Sequence, residues 1–369
     1  MTGVGGIGGI GGVRWATRED DAALRRLCAR TPIHGPLSYC LEREPEFFAL
    51  TRLQGDHGGR VAVIDAESEI AAMAMMAPFR AWVGGAEQRC AYVGDLKVAP
   101  EHRRQGLSAR VVRFLGQAMQ QQDIDRMVFL VLAGNPATRL IDIAPGHLDV
   151  RKLRTVRNFL VPFGAPMGLR PGAVIGRATP ASAPEMIALW NREQRRRAFA
   201  PVLDENLLLH WLRGLRSLDG VRLVHRNGRL TGFCAVWDAS AIKQIRLLRL
   251  SIGMRAATGV FNVLAALRGR PRFPRLGQTL RGLYVCHVCA ENADDLAALL
   301  VDIHNEYRES GALYFDLALD RADPLVAALS AFRPLTVDFE LHDARIPMLR
   351  PASASPGSDA CAYFDMSLV

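Results

Sequence analysis

Residues Tyr92-Val93-Gly94-Asp95-Leu96-Lys97-Val98-Ala99-Pro100-Glu101-His102-Arg103-Arg104-Gln105-Gly106-Leu107-Ser108 run from an extended apolar segment, through a basic turn with a glycine, into a helix. The helix is predicted over 108–121, because Ala109, Val112, Leu115 and Met119 recur at three- and four-residue spacing with Arg110, Arg113, Gln117 and Gln120 between them. A strand feeding a helix through such a turn makes an anion cradle. The first-turn amides have no intrahelical acceptor, the positive end of the helix dipole faces the ligand, and Gly106 lets backbone come close. Arginines on the turn add charge-assisted bonds. The pattern therefore points to a pyrophosphate, against the plainer reading of a basic turn on a surface helix.

At these residues the chain resembles the GCN5-related N-acetyltransferase (GNAT) superfamily, whose acetyl-CoA loop reads Arg or Gln, two residues, Gly, one residue, then Gly or Ala. Arg103, Gly106 and Ser108 meet that pattern, with serine as a small substitute at the last place. The resemblance implies an α/β (α+β) fold with a mixed central sheet flanked by helices, and acetyl-CoA or another acyl-CoA as co-substrate. It also implies cofactor contacts from Leu96, Lys97 and Val98 on the strand, from Arg103, Arg104, Gln105, Gly106, Leu107 and Ser108 on the loop, and from Asn135 further on.

A chain of 369 residues is too long for one such domain. Its 49% hydrophobic and 22% charged content is that of a globular protein rather than a disordered one. No apolar run reaches the ~18–20 residues that span a bilayer, and the glycine-rich stretch 1–12 has no basic region before an apolar core, so it reads as a disordered tail rather than a secretory signal. Seven cysteines, an odd and scattered set, suggest a reducing cytoplasm. Cys286-His287-Val288-Cys289 falls in a predicted strand whose alternation would send the two sulfurs to opposite faces, so no metal is expected.

Element order supports two copies of one architecture. In the first, strands are predicted at 13–16, 60–65, 70–79, 90–98, 126–132 and 153–161, with helices at 19–29, 45–51, 108–121 and 135–143. The breaker-rich stretch 164–172 reads as a linker, so the expected domains are 13–163 and 173–369. The second copy repeats the order but carries Ala290-Glu291-Asn292-Ala293-Asp294-Asp295 where the cradle should be, and its three carboxylates satisfy the dipole and repel phosphate. The resemblance is thus to tandem acetyltransferases with one working and one degenerate domain.

Acyl transfer to an amine needs a proton acceptor, a polarised carbonyl and a proton for the departing thiolate. Asp95, which interrupts an apolar strand, is the candidate base, a structural ion pair being the alternative. The family's tyrosine acid is replaced by Ile141. Between Asp238 and Glu291 no acidic residue occurs while nine basic ones do, marking 239–281 as a basic insertion with a helix expected at 252–267 and a loop carrying Arg268, Arg270, Arg272 and Arg275. A solvated surface, a lid over an anionic substrate, and a docking site for nucleic acid or acidic lipid all fit it. The reading is an acetyl-CoA-dependent N-acetyltransferase with an unidentified amine acceptor; the alternatives are a non-catalytic acyl-CoA sensor or scaffold and a Fem-type aminoacyl transferase.

Overall fold

Burial runs without a break through Val61–Ile64 and Ile70–Ala77, as in strands covered on both faces, and Arg60–Ala66, Glu69–Val83 and Ala86–Val98 pair into one antiparallel run from which the rest of the chain is built outward. The computed structural model describes residues 10–35, 37–67, 69–135, 149–168, 172–215, 218–267, 269–346, 357 and 360–368. The first half contains β1 (Ile10–Trp15), α1 (Asp21–Arg30), β2 (Leu37–Glu42), α2 (Phe48–Thr51), β3 (Arg60–Ala66), β4 (Glu69–Val83), β5 (Ala86–Val98), α3 (Leu107–Gln120), β6 (Arg126–Leu132) and β7 (Asp149–Pro162). The second contains β8 (Val174–Arg177), α4 (Ala183–Gln194), β9 (Ala200–Pro201), α5 (Glu205–Leu215), β10 (Val221–Arg226), β11 (Arg229–Trp237), β12 (Gln244–Leu250), α6 (Ile252–Leu267), β13 (Thr279–Leu280), β14 (Gly282–Ala290), α7 (Ala293–Tyr307), β15 (Tyr314–Asp320) and β16 (Leu335–Arg345).

Both halves share one mixed sheet of order β1-β3-β4-β5-β6-β16-β7-β15-β14-β11-β10-β8. Helices cover both faces. Leu107, Val111, Leu115 and Met119 of α3 pack on one face of the first half, and Leu24, Leu27 and Cys28 of α1 on the other. In the second half α7 buries Leu296, Leu299, Leu300 and Ile303, and Trp190 and Trp211 of α4 and α5 fill the opposite face.

The final strands have changed places. The predicted order keeps each half's last strand at home, but β16 of the second half pairs along β6, from Phe339 opposite Leu132 to Arg345 opposite Arg126. β7 of the first half pairs with β15, from Tyr314 opposite Pro162 to Asp320 opposite Val156. Apolar complementarity explains the exchange: Phe159 and Val161 of β7 lie in the second half's core beside Phe315, while Ala344 of β16 joins the core under α3. The stretch 164–172 therefore separates two copies in sequence, while the sheet runs on through both.

Several expected boundaries move. The first strand begins at Ile10, inside the stretch expected to be a disordered tail; 1–9 and most of the expected helix 135–143 lie outside the described residues. In the second copy, the counterpart of the helix expected at 135–143 is a 3-10 turn, Pro324–Leu329, opened by the Asp323 carboxylate accepting from the Leu325 amide at 2.9 Å. β2 was not foreseen, because its partner is β12, from the insertion some two hundred residues away; the two pair from Gln244 opposite Glu42 to Leu250 opposite Leu37. With β13 they form a side sheet that joins the halves.

Because each half lends the other a strand, neither can close its sheet alone. Residues 1–163 and 173–369 expressed separately should aggregate, and co-expression should recover a stable pair by affinity pull-down. Two monodisperse, cooperatively unfolding fragments made separately would contradict the exchange.

Candidate functional site

The predicted donor strand carries an irregularity that sets the site. In the β4–β5 pair, Met75 is opposite Gly94 but Met73 is opposite Lys97, so Asp95 and Leu96 together face one residue, Ala74. This is a β-bulge, with Asp95 at φ +51°. On its other edge β5 runs parallel to β6 only at Ala91 and Tyr92, opposite Met127 and Val128. Beyond Tyr92 the two strands part, and among the described residues that edge of Val93 to Val98 faces no strand. Gly94 is required here, since a Cβ would come within 2.7 Å of the Tyr92 hydroxyl.

Asp95 is held by two cations. Its carboxylate accepts from Arg43 Nη2 at 2.8 Å and from Lys97 Nζ at 3.0 Å, and its side chain is only 10% exposed. Burial alone would raise the carboxyl, but the charges of Arg43 and then Lys97 outweigh it and hold the group well below the usual carboxylate range. A carboxylate so stabilised is a weak base. The geometry thus favours the ion-pair reading of Asp95 over the base, and the triad's task is to fix the bulge in a left-handed conformation that aspartate tolerates better than most residues.

After β5 the chain makes a single turn, Pro100–His102, and then the loop. Arg104 and Gly106 have φ of +63° and +73°, and Gly106 caps α3. A Cβ on Gly106 would meet nothing within 4 Å, and Arg103, Arg104 and Gln105 are exposed beside it. The loop thus presents an unobstructed helix N-terminus flanked by arginines. Leu107 is buried and anchors the turn to the core, and Ser108 is half-buried. Asn135 follows β6, its amide donating to the Leu132 carbonyl at 3.0 Å, so it stands at the same end of the parallel pair as the cradle. Leu96, Lys97, Val98, residues 103–108 and Asn135 therefore gather at one end of the opening between β5 and β6. Ile141 lies outside the described residues.

The second half repeats the bulge and fills the opening. In the β11–β14 pair, Phe233 is opposite Cys289 and Ala235 opposite Cys286, so His287 and Val288 face one residue; His287 has φ +52°. β14 leaves β15 after Tyr284. The chain's last described segment then enters the gap. The Asp365 carboxylate accepts from the His287 amide at 3.0 Å and from the Ser367 amide and hydroxyl at 2.9 and 2.6 Å. Lys243 Nζ, buried and 4.5 Å above the Tyr284 ring, donates to the Met366 carbonyl at 2.9 Å, and Gln54 of the first half donates to the Leu368 carbonyl at 2.6 Å. At the start of α7 the Asn292 side chain accepts from the Asp295 amide at 2.9 Å, and Asp295 pairs with Arg226. Side chains of the protein thus take what a phosphate would take.

The bulge also corrects the expected Cys286 and Cys289 orientation. The extra residue reverses alternation between them, so both sulfurs face the core that contains Trp190 and Trp211. Donor atoms of Cys286, His287 and Asp365 lie within 4.8 Å of one another. The Asp365 oxygens already hold protein donors, and burial raises the Cys286 thiol and keeps His287 neutral, so the group serves as an anchor. Arg43, Lys243 and Asp365 were not foreseen. Asp95 in an apolar strand signalled a cationic partner, but nothing local named Arg43, fifty-two residues away.

Replacing Asp95 by Asn leaves Arg43 charged and buried, which costs roughly 3–5 kcal/mol. The wild-type carboxyl titrates lower when folded than the ~3.9 of an unfolded chain, so its stabilisation is complete above that pH and disappears as pH falls toward the folded value. Urea unfolding should therefore show a deficit for Asp95→Asn that is constant from pH 8 to 5 and narrows below ~4. No deficit at pH 7 would contradict the triad.

Comparison with known proteins places this geometry. Residues 23–141 match the model of the acetyltransferase (GNAT) family. No curated protein matches the sequence. Among solved structures, Saccharomyces cerevisiae N-myristoyltransferase with bound myristoyl-CoA is similar at 12% identity and a TM-score of 0.63, over 90% of this chain and 82% of that one. A GCN5-related N-acetyltransferase from Sphaerobacter thermophilus is similar at 14% identity and 0.58, over 94% and 97%. A probable N-acyltransferase from Enterococcus faecalis is similar at 11% identity and 0.52, over 90% and 72%. The parted strands and the glycine-capped helix thus lie in a GNAT-family domain, residues 23–141, and the chain as a whole has the fold of these structures, two GNAT folds in tandem.

Proposed function

We propose that this protein is an acyl-CoA-dependent N-acyltransferase, with acetyl-CoA as donor, held by the first half alone. The observation that carries this reading is the unobstructed, glycine-capped start of α3 beside a strand whose edge, among the described residues, has no strand partner beyond Tyr92. The pyrophosphate would accept from the first-turn amides of α3, with Arg103 and Arg104 alongside. The pantetheine amides would take the bonding edge of Leu96 to Val98 that β6 leaves. Asn135, at the end of β6, would close the other side.

In the transfer, the nitrogen of a neutral amine attacks the thioester carbonyl carbon, the C–S bond breaks, the nitrogen loses a proton and the CoA thiolate gains one. Backbone amides at the bulge would stabilise the oxyanion, being fixed by the Arg43–Asp95–Lys97 triad before substrate arrives. Asp95 positions that backbone rather than taking the proton. The acceptor would enter along the seam between the halves, where Phe364 packs edge-on against Tyr92 at 5.6 Å. Arg43, Lys243, Asp316 and Asp365 bring both charge signs to this seam. Burial disfavours both the Lys243 ammonium and the Asp316 carboxylate.

Isothermal titration with acetyl-CoA should find one site per chain. Gly106→Asp, which puts a carboxylate against the pyrophosphate, should weaken binding by several kcal/mol, about 100-fold or more. Thiol release from acetyl-CoA and longer acyl-CoA across an amine panel then identifies donor and acceptor. Two sites per chain, or undiminished binding in the variant, would overturn the reading.

A further inference from the structure

Helix α6 leaves an aliphatic face in water, while Met254, Thr258, Asn262 and Ala265 line the side toward the protein. Its single buried side chain is Ala265. The face that Ala265 belongs to also carries Thr258 and Asn262. The Thr258 hydroxyl donates to the Met254 carbonyl at 2.8 Å. The Asn262 side chain accepts from the Phe273 amide at 2.6 Å and donates to its carbonyl at 3.3 Å. The opposite face carries Ile252, Val260, Val263 and Leu267, exposed by 86%, 63%, 62% and 80%. Surface helices ordinarily turn their apolar stripe inward.

Exposed positive charge flanks this helix in sequence. Arg249 just before the helix, Arg255 in its first turn, and Arg272 and Arg275 in the following loop are all exposed. The Asn262–Phe273 bonds strap that loop along the helix, and the Gly277 amide, donating to the Leu247 carbonyl at 2.7 Å, ties it to β12. Other basic residues of the insertion have structural partners: Arg246 pairs with Glu42, Arg281 with Asp238, and Arg270 donates to the Arg308 and Gly164 carbonyls. Arg268 lies outside the described residues. No Asp or Glu occurs from 239 to 290. Among the described residues no helix is long and apolar enough to cross a membrane.

We propose that α6 docks on the surface of an anionic lipid bilayer. Its aliphatic face would enter the boundary between headgroups and acyl chains, with Arg249, Arg255, Arg272 and Arg275 on the lipid phosphates. Charge complementarity selects this occupant. In a two-fold pair of chains the flanking arginines would be brought together, and a nucleic acid would meet a mainly aliphatic surface, with Phe261, 40% exposed, the helix's one aromatic ring, in place of the series of aromatic platforms on which bases stack.

The test is co-sedimentation of the full chain with vesicles of one part phosphatidylglycerol to three parts phosphatidylcholine, and with pure phosphatidylcholine. The wild type should bind the anionic vesicles at least ~10-fold more tightly than the neutral ones and lose affinity as salt rises. The double variant Val260→Glu/Val263→Glu should lose at least ~10-fold, Val260→Leu/Val263→Leu should retain binding, and serine at the four arginines should remove the preference for anionic lipid. Circular dichroism should show all variants folded, as expected for changes at exposed positions, and light scattering should show the same mass for wild type and the glutamate variant without lipid. Failure to bind anionic vesicles, binding unaffected by the glutamates, a dimer that the glutamates dissociate, or retention on RNA in place of vesicles would overturn the proposal.

Discussion

Everything at the candidate site depends on a strand that leaves its neighbour. Two parallel strands with unbroken pairing would offer a ligand no bonding edge, whereas β5 and β6 hold together at Ala91 and Tyr92 and then part. The bulge at Asp95 and Leu96 re-aims the backbone, and a left-handed aspartate is stable there because Arg43 and Lys97 hold its carboxylate. A buried ion pair is often no gain in net stability. Here it fixes a conformation, and with it the direction of the amides that follow.

The same device appears twice, to different ends. His287 and Val288 reproduce the bulge of the first copy, and β14 leaves β15 as β5 leaves β6. In the second copy, however, Asp365 takes the His287 amide, Lys243 and Gln54 hold the carbonyls of the same segment, and Asn292 closes the start of α7. The second half has become a wall for the first, lending it β16 and receiving β7. The basic insertion contributes to this joining through β12, whose partner β2 belongs to the first half.

What was legible in the sequence was local. The 126–132 strand and the 252–267 helix fall where periodicity puts them, because their side-chain pattern and breakers lie within the segment. The glycine-capped turn into α3 was legible because Arg103 to Ser108 is itself a short continuous motif, while its role as an anion cradle is a proposal. What could not be read depended on distant partners: β2 awaiting β12, Asp95 awaiting Arg43, and two final strands free by pattern to join either half. Cys286 and Cys289 failed for a related reason, since alternation is a rule for regular strands and a bulge reverses it. The insertion's charge was visible, but which arginines face solvent required the structure, and Lys243 proves to be buried.

If the first opening takes an acyl-CoA and its twin is closed by the protein itself, amide hydrogen exchange with and without acetyl-CoA will separate the two. New protection is expected at Leu96 to Val98 and in the first turn of α3 from Leu107, with no change at His287 to Ala290 or in the first turn of α7. Equal protection in both copies, or protection only in the second, would contradict this assignment.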